Sequence, residues 1–235
     1  MLKLMYITNS PEVASIADRA GVDRVFIDLE QYGKEKRQKN WDSVKSKHSI
    51  SDIPKVKAAV KNAQIFVRTD PIFDGFSDEL EGVLACEPDV VMLPYFKTVR
   101  EVETFIKAVD GRATTSLLLE TREAAEQIDD IISVGGIDEI HIGLNDLSHS
   151  YGKKFLFEEL ADGTVDRLVE RFKADGIKNY GFGGIASLGS GLLPAEMIIP
   201  EHYRLGSNCA ILPAHSAMYQ RSAISTRYAA SSTRV

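Results

Sequence analysis

Short apolar runs alternate with amphipathic segments along the chain. The runs cover residues 2–8, 24–30, 64–69, 90–95, 114–121, 139–144, 180–186 and 203–212, and their length and content are typical of β-strands. Between them, apolar residues spaced three and four apart predict helices over 11–20, 53–61, 77–85, 99–109, 122–133 and 164–175. Repeated alternation of strand and helix predicts a parallel sheet.

The middle of the chain repeats at a constant interval. The residues that close four predicted strands, Arg68, Pro94, Glu120 and Asp146, follow one another every 26 residues, which accommodates one strand, one helix and two short loops. Eight units in 235 residues favour an α/β fold closed into a single-domain (β/α)8 TIM barrel over residues 1–221. A tail over 222–235 is predicted to be frayed or bound to a partner. A doubly wound open sheet is the alternative architecture.

Composition and charge exclude several classes of protein. The chain is 44% hydrophobic and 26% charged, as globular proteins are, and its formal charge of -6 counts against a protein that coats nucleic acid. The amino terminus lacks the apolar run of a signal peptide, and the longest uncharged stretch, 179–195, holds five glycines and a proline, so no membrane span is predicted. Its two cysteines form no paired motif, which favours a reducing compartment and a cytoplasmic protein.

Charged side chains close four of the predicted strands. Asp28 and Glu30 end the second strand, Arg68 the third, Glu120 the fifth and Asp146 the sixth. The carboxyl ends of the strands of such a barrel meet at one mouth, where catalytic residues lie. Carboxylates from neighbouring strands suit Mg²⁺ or Mn²⁺, and an arginine beside them suits a substrate carboxylate or a developing oxyanion. The alternative is a structural ion pair between Glu120 and Arg68.

Five fragments around these residues, in this order and at this spacing, resemble a known family. They are residues 26–30, 67–68, 92–94, 119–121 and 143–148. Together they resemble the HpcH/HpaI aldolase and citrate lyase β-subunit family of the pyruvate kinase-like barrel superfamily, over about residues 22–152, and residues 205–208 fit the last unit.

The resemblance implies a metal-dependent carbon-carbon lyase of the aldolase type. In that family a 2-keto acid such as pyruvate chelates a divalent ion, which stabilises the enolate formed by bond cleavage. Matched by position, Glu120 and Asp146 would be the ligands of Mg²⁺ or Mn²⁺, and Glu30 would reach the ion through water. Arg68 would contact the keto or enolate oxygen, and the backbone amides near Asn145 and Asp146 would hold the substrate carboxylate. The resemblance also implies a homo-oligomer, a trimer or hexamer.

One position departs from the family pattern. The aldolase branch carries a histidine base directly after the glutamate of the second strand, whereas this chain has Gln31, whose amide cannot take a proton near neutral pH. His48 is the best replacement base by position, and its alternative role is a polar residue at a helix start. The citrate-lyase-like branch carries a later Lys and Arg, which Lys34 and Arg37 match. An acyl-CoA lyase, or a binding protein without turnover, therefore remains an alternative.

Two further features bear on ligands. Residues 31–48 carry a formal charge of +4, which at a barrel mouth would attract an anionic substrate, a phosphate or coenzyme A, and which on an ordinary surface loop would only be solvated. His141 alternates away from Asp146 in the sixth run, so its side chain is predicted to face the helix layer.

Overall fold

The chain forms a closed barrel of eight parallel strands, so the predicted (β/α)8 barrel is confirmed and the open sheet is wrong. The computed structural model describes residues 2–32, 47–185 and 193–212. The strands pair in chain order and β8 closes on β1. Their bounds are β1 Lys3–Ile7, β2 Arg24–Asp28, β3 Gln64–Arg68, β4 Val90–Leu93, β5 Thr114–Leu119, β6 Glu139–Ile142, β7 Asn179–Phe182 and β8 Cys209–Leu212. The predicted domain end and the tail over 222–235 lie outside the described residues.

Helices cover the outside of the barrel between the strands. Their bounds are α1 Pro11–Arg19, α2 Asp52–Lys57, α3 Phe76–Leu84, α4 Val99–Val109, α5 Arg122–Glu126, α6 Ile128–Ser133, α7 Leu144–Ser150, α8 Glu158–Ala161, α9 Thr164–Ala174 and α10 Ala195–Leu205. Local sequence explains their starts. Ser10 caps α1 ahead of Pro11, and Thr98 forms a capping box with Glu101 at the start of α4.

Three predicted elements are wrong in their bounds. The sixth strand ends at Ile142, and Asp146 lies in the first turn of α7, because the chain turns at Gly143 and the next residues are helical. The run from 203 is not strand at its start, because Tyr203 lies in the last turn of α10, which ends at Leu205 and is capped by a left-handed Gly206. The predicted helix over 122–133 is broken at Gln127 into α5 and α6.

The barrel has an outer and an inner core. The outer core lies between the strands and the helices and is built from aliphatic and aromatic residues. The inner core fills the barrel and consists of Met5, Phe26, Phe66, Val90, Met92, Leu118 and Cys209. Phe26 and Phe66 face each other in the β2–β3 register, with ring centroids 4.8 Å apart. The barrel is therefore packed at its waist, and the charged groups described below lie at its two ends.

A buried ion pair closes the amino end of the barrel. Arg24 of β2 donates from Nη1 and Nη2 to the two carboxylate oxygens of Glu139 on β6, both at 2.6 Å, and from Nε to Gln64 of β3 at 3.0 Å. The two charged side chains are only 2% and 6% exposed. This pair joins strands on opposite sides of the barrel, so it specifies the register at the end away from the mouth.

His141 lies inside the barrel, so the prediction that it faces the helix layer is wrong. It is buried and lines a small internal cavity with Met5, Phe66 and Met92. Burial lowers the pKa of its ring to about 3, so the imidazole is neutral at physiological pH. Counting the alternation back from Asp146 failed because the strand pattern stops at Gly143. Among the described residues, no helix is long and apolar enough to cross a membrane.

Candidate active site

The carboxyl ends of β2 and β3 bring an arginine against two acids. Asp28 and Arg68 are register partners on the two strands, and the guanidinium donates from Nε and Nη2 to the Asp28 carboxylate, both at 2.8 Å. Nη2 also lies 3.3 Å from a carboxylate oxygen of Glu30. Among the described residues, the ion-pair partners of Arg68 are Asp28 and Glu30, and the Glu120 carboxylate also acts on the guanidinium through its charge. The alternative of a structural Glu120–Arg68 ion pair stays a prediction.

The environment keeps Arg68 charged and leaves part of it available. Burial alone would lower the pKa of its guanidinium, but the carboxylates of Asp28, Glu30 and Glu120 outweigh this and raise the pKa above its usual value. Within the described part of the chain, Nε and Nη2 account for the hydrogen bonds and ion pairs of this side chain. Nη1 has no hydrogen bond or ion pair among the described residues, and the planar fork of arginine allows one guanidinium to donate to several oxygens at once.

Glu120 follows β5 and is held in place by backbone. Its Oε1 accepts a hydrogen bond from the amide of Tyr95 at 3.0 Å. Tyr95 follows β4 with φ of 49°, a left-handed conformation that is uncommon for a bulky residue and often marks a functional site. On the other side Gly143 approaches the carboxylate so closely that an added Cβ would lie 2.7 Å from Oε2. The carboxylate is thus seated between the ends of β4 and β6.

Asp146 and Asn145 lie in the first turn of α7, directly after β6. Asp146 is half-buried and Asn145 is exposed. Gly143 occupies the N-cap position, so no side chain caps this helix. The amides of a first helical turn have no partner within the helix and favour anions. The first turn of α7 could therefore hold an anion such as a carboxylate.

The donor set fits Mg²⁺ or Mn²⁺ if most ligands come from outside the protein. Within residues 2–32, 47–185 and 193–212, no three His, Cys, Asp or Glu side chains form a group that could hold a metal ion. Glu120 nevertheless follows β5, Asp146 lies in the first turn of the helix that follows the neighbouring β6, and both offer hard carboxylate oxygens. Mg²⁺ is usually bound by one or two carboxylates together with water and substrate, so two such residues suffice.

Gln31 and His48 are both tied to the end of β2. His48 is buried, and its Nδ1 accepts a hydrogen bond from the amide of Asp28 at 2.9 Å. A backbone N–H can only donate, so the proton of the neutral ring sits on Nε2, and protonation of Nδ1 would require losing this bond. The Gln31 side chain donates to the carbonyl of His48 at 3.3 Å. The geometry therefore counts against His48 as a base. His48 is also not the residue at the helix start, because Ser51 occupies the N-cap position of α2.

Two predicted ligand-binding residues are not described by the structure, and two contacts at the mouth were not predicted. Lys34 and Arg37, with most of the positively charged stretch, lie outside the described residues. The sequence analysis missed Asp28 as the bidentate partner of Arg68 and the amide of Tyr95 as the anchor of Glu120. Alternation along β2 places Asp28 inward and could have revealed its contact with Arg68. No residue pattern indicates the contact between Tyr95 and Glu120.

The family model for HpcH/HpaI aldolase/citrate lyase matches residues 3–181. The chain belongs to this family. HpcH/HpaI and citrate lyase proteins are aldolases and lyases, so membership supports an enzyme of the aldolase or lyase type. A search of the curated proteins finds no match.

Several solved structures share the fold of this chain. A family protein from Burkholderia cenocepacia J2315 is 14% identical, with a TM-score of 0.72 over 100% of this chain and 95% of its own. Citrate synthase SbnG is 18% identical, with a TM-score of 0.69 over 97% of this chain and 93% of its own. Macrophomate synthase is 13% identical, with a TM-score of 0.68 over 99% of this chain and 83% of its own. At these identities the likeness establishes the barrel fold.

Proposed function

We propose that the chain is a divalent-metal-dependent carbon-carbon lyase that cleaves or forms a bond to pyruvate or a similar 2-keto acid through an enolate. The observation that carries the proposal is the arrangement at the mouth. Arg68 is held by Asp28 and Glu30 beside the Glu120 carboxylate, with the first turn of α7 adjacent to it.

Each group at the mouth has a task in this reaction. The amides of the first turn of α7 bind the substrate carboxylate. In the cleavage direction, the hydroxyl on the leaving carbon gives its proton to water and becomes an aldehyde carbonyl, while the electron pair of the broken carbon-carbon bond forms the enolate. Nη1 of Arg68 donates to the 2-keto oxygen, where the negative charge of that enolate develops. Glu120 and Asp146 would hold Mg²⁺ or Mn²⁺, which would supply a Lewis acid for the developing negative charge. Asp28 and Glu30 fix the guanidinium so that little reorganisation is needed.

Replacing Arg68 by lysine is expected to lower turnover about tenfold or more. A lysine retains the charge but has one nitrogen, and it cannot satisfy Asp28 and Glu30 while also donating to the substrate. Steady-state rates with pyruvate and an aldehyde give the effect. The matched control is Arg122→Lys, because Arg122 pairs with Glu126 on an exposed helix face. Near-normal turnover of Arg68→Lys would show that Arg68 only balances charge.

Replacing Gln31 by histidine is expected to raise pyruvate-aldehyde condensation at least about tenfold. Forming the enolate requires a group that takes a proton from the pyruvate methyl carbon, and a positioned base contributes about 10²- to 10⁴-fold. Gln31 is exposed at the rim directly after Glu30, where an imidazole has room. Gln31→Leu controls for loss of the amide. If His48 already serves as the base, Gln31→His will change little and His48→Ala will abolish the reaction.

An acyl-CoA lyase is the second candidate. It is favoured by the charge of +4 on residues 31–48, which follow β2 and would attract a phosphate-bearing cofactor. A family member that binds ligand without turnover is the third candidate, because the side chain of Gln31 cannot act as a base. Titration with pyruvate, oxaloacetate and an acyl-CoA, each with and without Mg²⁺ or Mn²⁺, followed by turnover assays, distinguishes the three. Metal-dependent turnover of pyruvate supports the proposal, turnover of the acyl-CoA supports the second, and binding without turnover supports the third.

A further inference from the structure

A chain of hydrogen bonds connects helix α3 to the rim of the mouth. Oδ1 of Asp70, two residues after β3, accepts the backbone amides of Gln31 at 2.6 Å and Tyr32 at 2.7 Å. The amide of Asp70 in turn donates to Oε1 of Glu79 on α3 at 3.0 Å. The backbone just beyond Glu30 is therefore fixed by two carboxyl groups in series.

We propose that Glu79 is a positioning residue. Through the backbone of Asp70, it fixes the conformation of Gln31 and Tyr32 at the rim of the mouth. This proposal rests on the proposed function only because Gln31 stands where the aldolase branch of the family carries its histidine base. Glu79 itself touches no reacting group, and it acts by orienting Asp70.

The surroundings of Glu79 make this link sensitive to its proton. Its Oε2 is buried and has no hydrogen-bond partner among the described residues. Burial raises the pKa of Glu79 to about 7; the hydrogen bond from the Asp70 amide favours the ionised form but does not outweigh burial, and the like charge of Asp70 adds a smaller increase. Its neutral form therefore prevails below neutral pH, and above it a second negative charge faces the carboxylate that holds the rim.

The other charged groups near α3 have partners of their own. Glu81 of α3 pairs with Arg112 after α4, and Lys57 at the end of α2 pairs with Glu87 after α3. Among the described residues, Asp70 is the charged group that acts on Glu79. The folded chain binds the Glu79 proton more tightly than the unfolded chain does, so its stabilising contribution falls as the pH rises from about 4.5 through about 7.

Glu79→Gln is the most direct variant. Glutamine keeps an oxygen that can accept from Asp70 and cannot ionise. Glu79→Leu removes that acceptor, and Glu81→Gln on the same helix is the matched control for a lost surface charge. The readouts are the amide resonances of Gln31 and Tyr32 and their hydrogen-exchange protection between pH 5.5 and 9, measured on the full chain without substrate or metal.

In the wild type and in Glu81→Gln, the amide resonances of Gln31 and Tyr32 are expected to shift with a midpoint near pH 7. Their hydrogen-exchange protection is expected to fall about tenfold above that pH. In Glu79→Gln this midpoint disappears, and in Glu79→Leu protection is low at every pH. An unchanged midpoint in Glu79→Gln, or wild-type protection in Glu79→Leu, would overturn the proposal. Because no substrate is present, failure of the proposed lyase activity would leave this result standing, and the reverse also holds.

Discussion

Replacing Glu120 by glutamine is expected to weaken Mn²⁺ binding about 100-fold or more and to remove turnover with it. Glutamine preserves the shape of the side chain and an oxygen for the amide of Tyr95, which donates to Glu120 at 3.0 Å in the wild type. It removes the negative charge, and a divalent ion depends on that charge when only two protein carboxylates hold it. Calorimetric titration with Mn²⁺ gives the affinity.

The control for this variant is Glu123→Gln. Glu123 lies three residues further on, is half-exposed and pairs with Lys97 outside the mouth, so its loss should leave Mn²⁺ affinity unchanged. Asp146→Asn should resemble Glu120→Gln if both carboxylates hold the ion. Wild-type affinity in Glu120→Gln would show that the metal site is assigned to the wrong residues.

Replacing Arg24 by methionine is expected to lower the free energy of unfolding by about 3–5 kcal/mol, the cost of removing one partner from a buried ion pair. Glu139 would be left charged and buried at the amino end of the barrel, without the two 2.6 Å hydrogen bonds that it now receives. In a chain of this size such a loss corresponds to a fall in Tm of about 10 °C. Urea and thermal unfolding followed by circular dichroism give both quantities.

Two further variants separate the pair from its surroundings. Arg24→Met combined with Glu139→Leu should recover much of the loss, because the unpaired charge is gone. Arg112→Met breaks the exposed Arg112–Glu81 pair and should leave the free energy of unfolding almost unchanged. Equal effects of Arg24→Met and Arg112→Met would show that burial of the Arg24–Glu139 pair does not determine its contribution.

The fold could be predicted from sequence because each strand carries its own apolar pattern. Strands β2 and β5 consist of buried residues that stand out against the polar helix faces around them. Errors arose where tertiary structure overrides that pattern. Tyr203 belongs to a strand-like run but extends α10, a helix that contains Pro200, and Asp146 follows an apolar strand but lies beyond the turn at Gly143.

The site could be predicted only in part. The rule that polar residues close barrel strands led to Glu30, Arg68 and Glu120, because it depends only on position along the chain. It could not reveal which acid holds Arg68, since that depends on the register between β2 and β3. The contact from Tyr95 to Glu120 depends on a left-handed backbone, which a tyrosine does not signal.

In the proposed function, an enolate forms from a 2-keto acid at the barrel mouth, and a divalent ion stabilises it. The most direct test is exchange of the pyruvate methyl protons for deuterium in D₂O, followed by proton NMR with the wild-type chain and with Glu120→Gln. We expect slow exchange by the wild type, with water as the proton acceptor, that requires Mg²⁺ or Mn²⁺, is lost in Glu120→Gln and becomes at least about tenfold faster in Gln31→His. Absence of exchange in the wild type and in Gln31→His with either ion would contradict it.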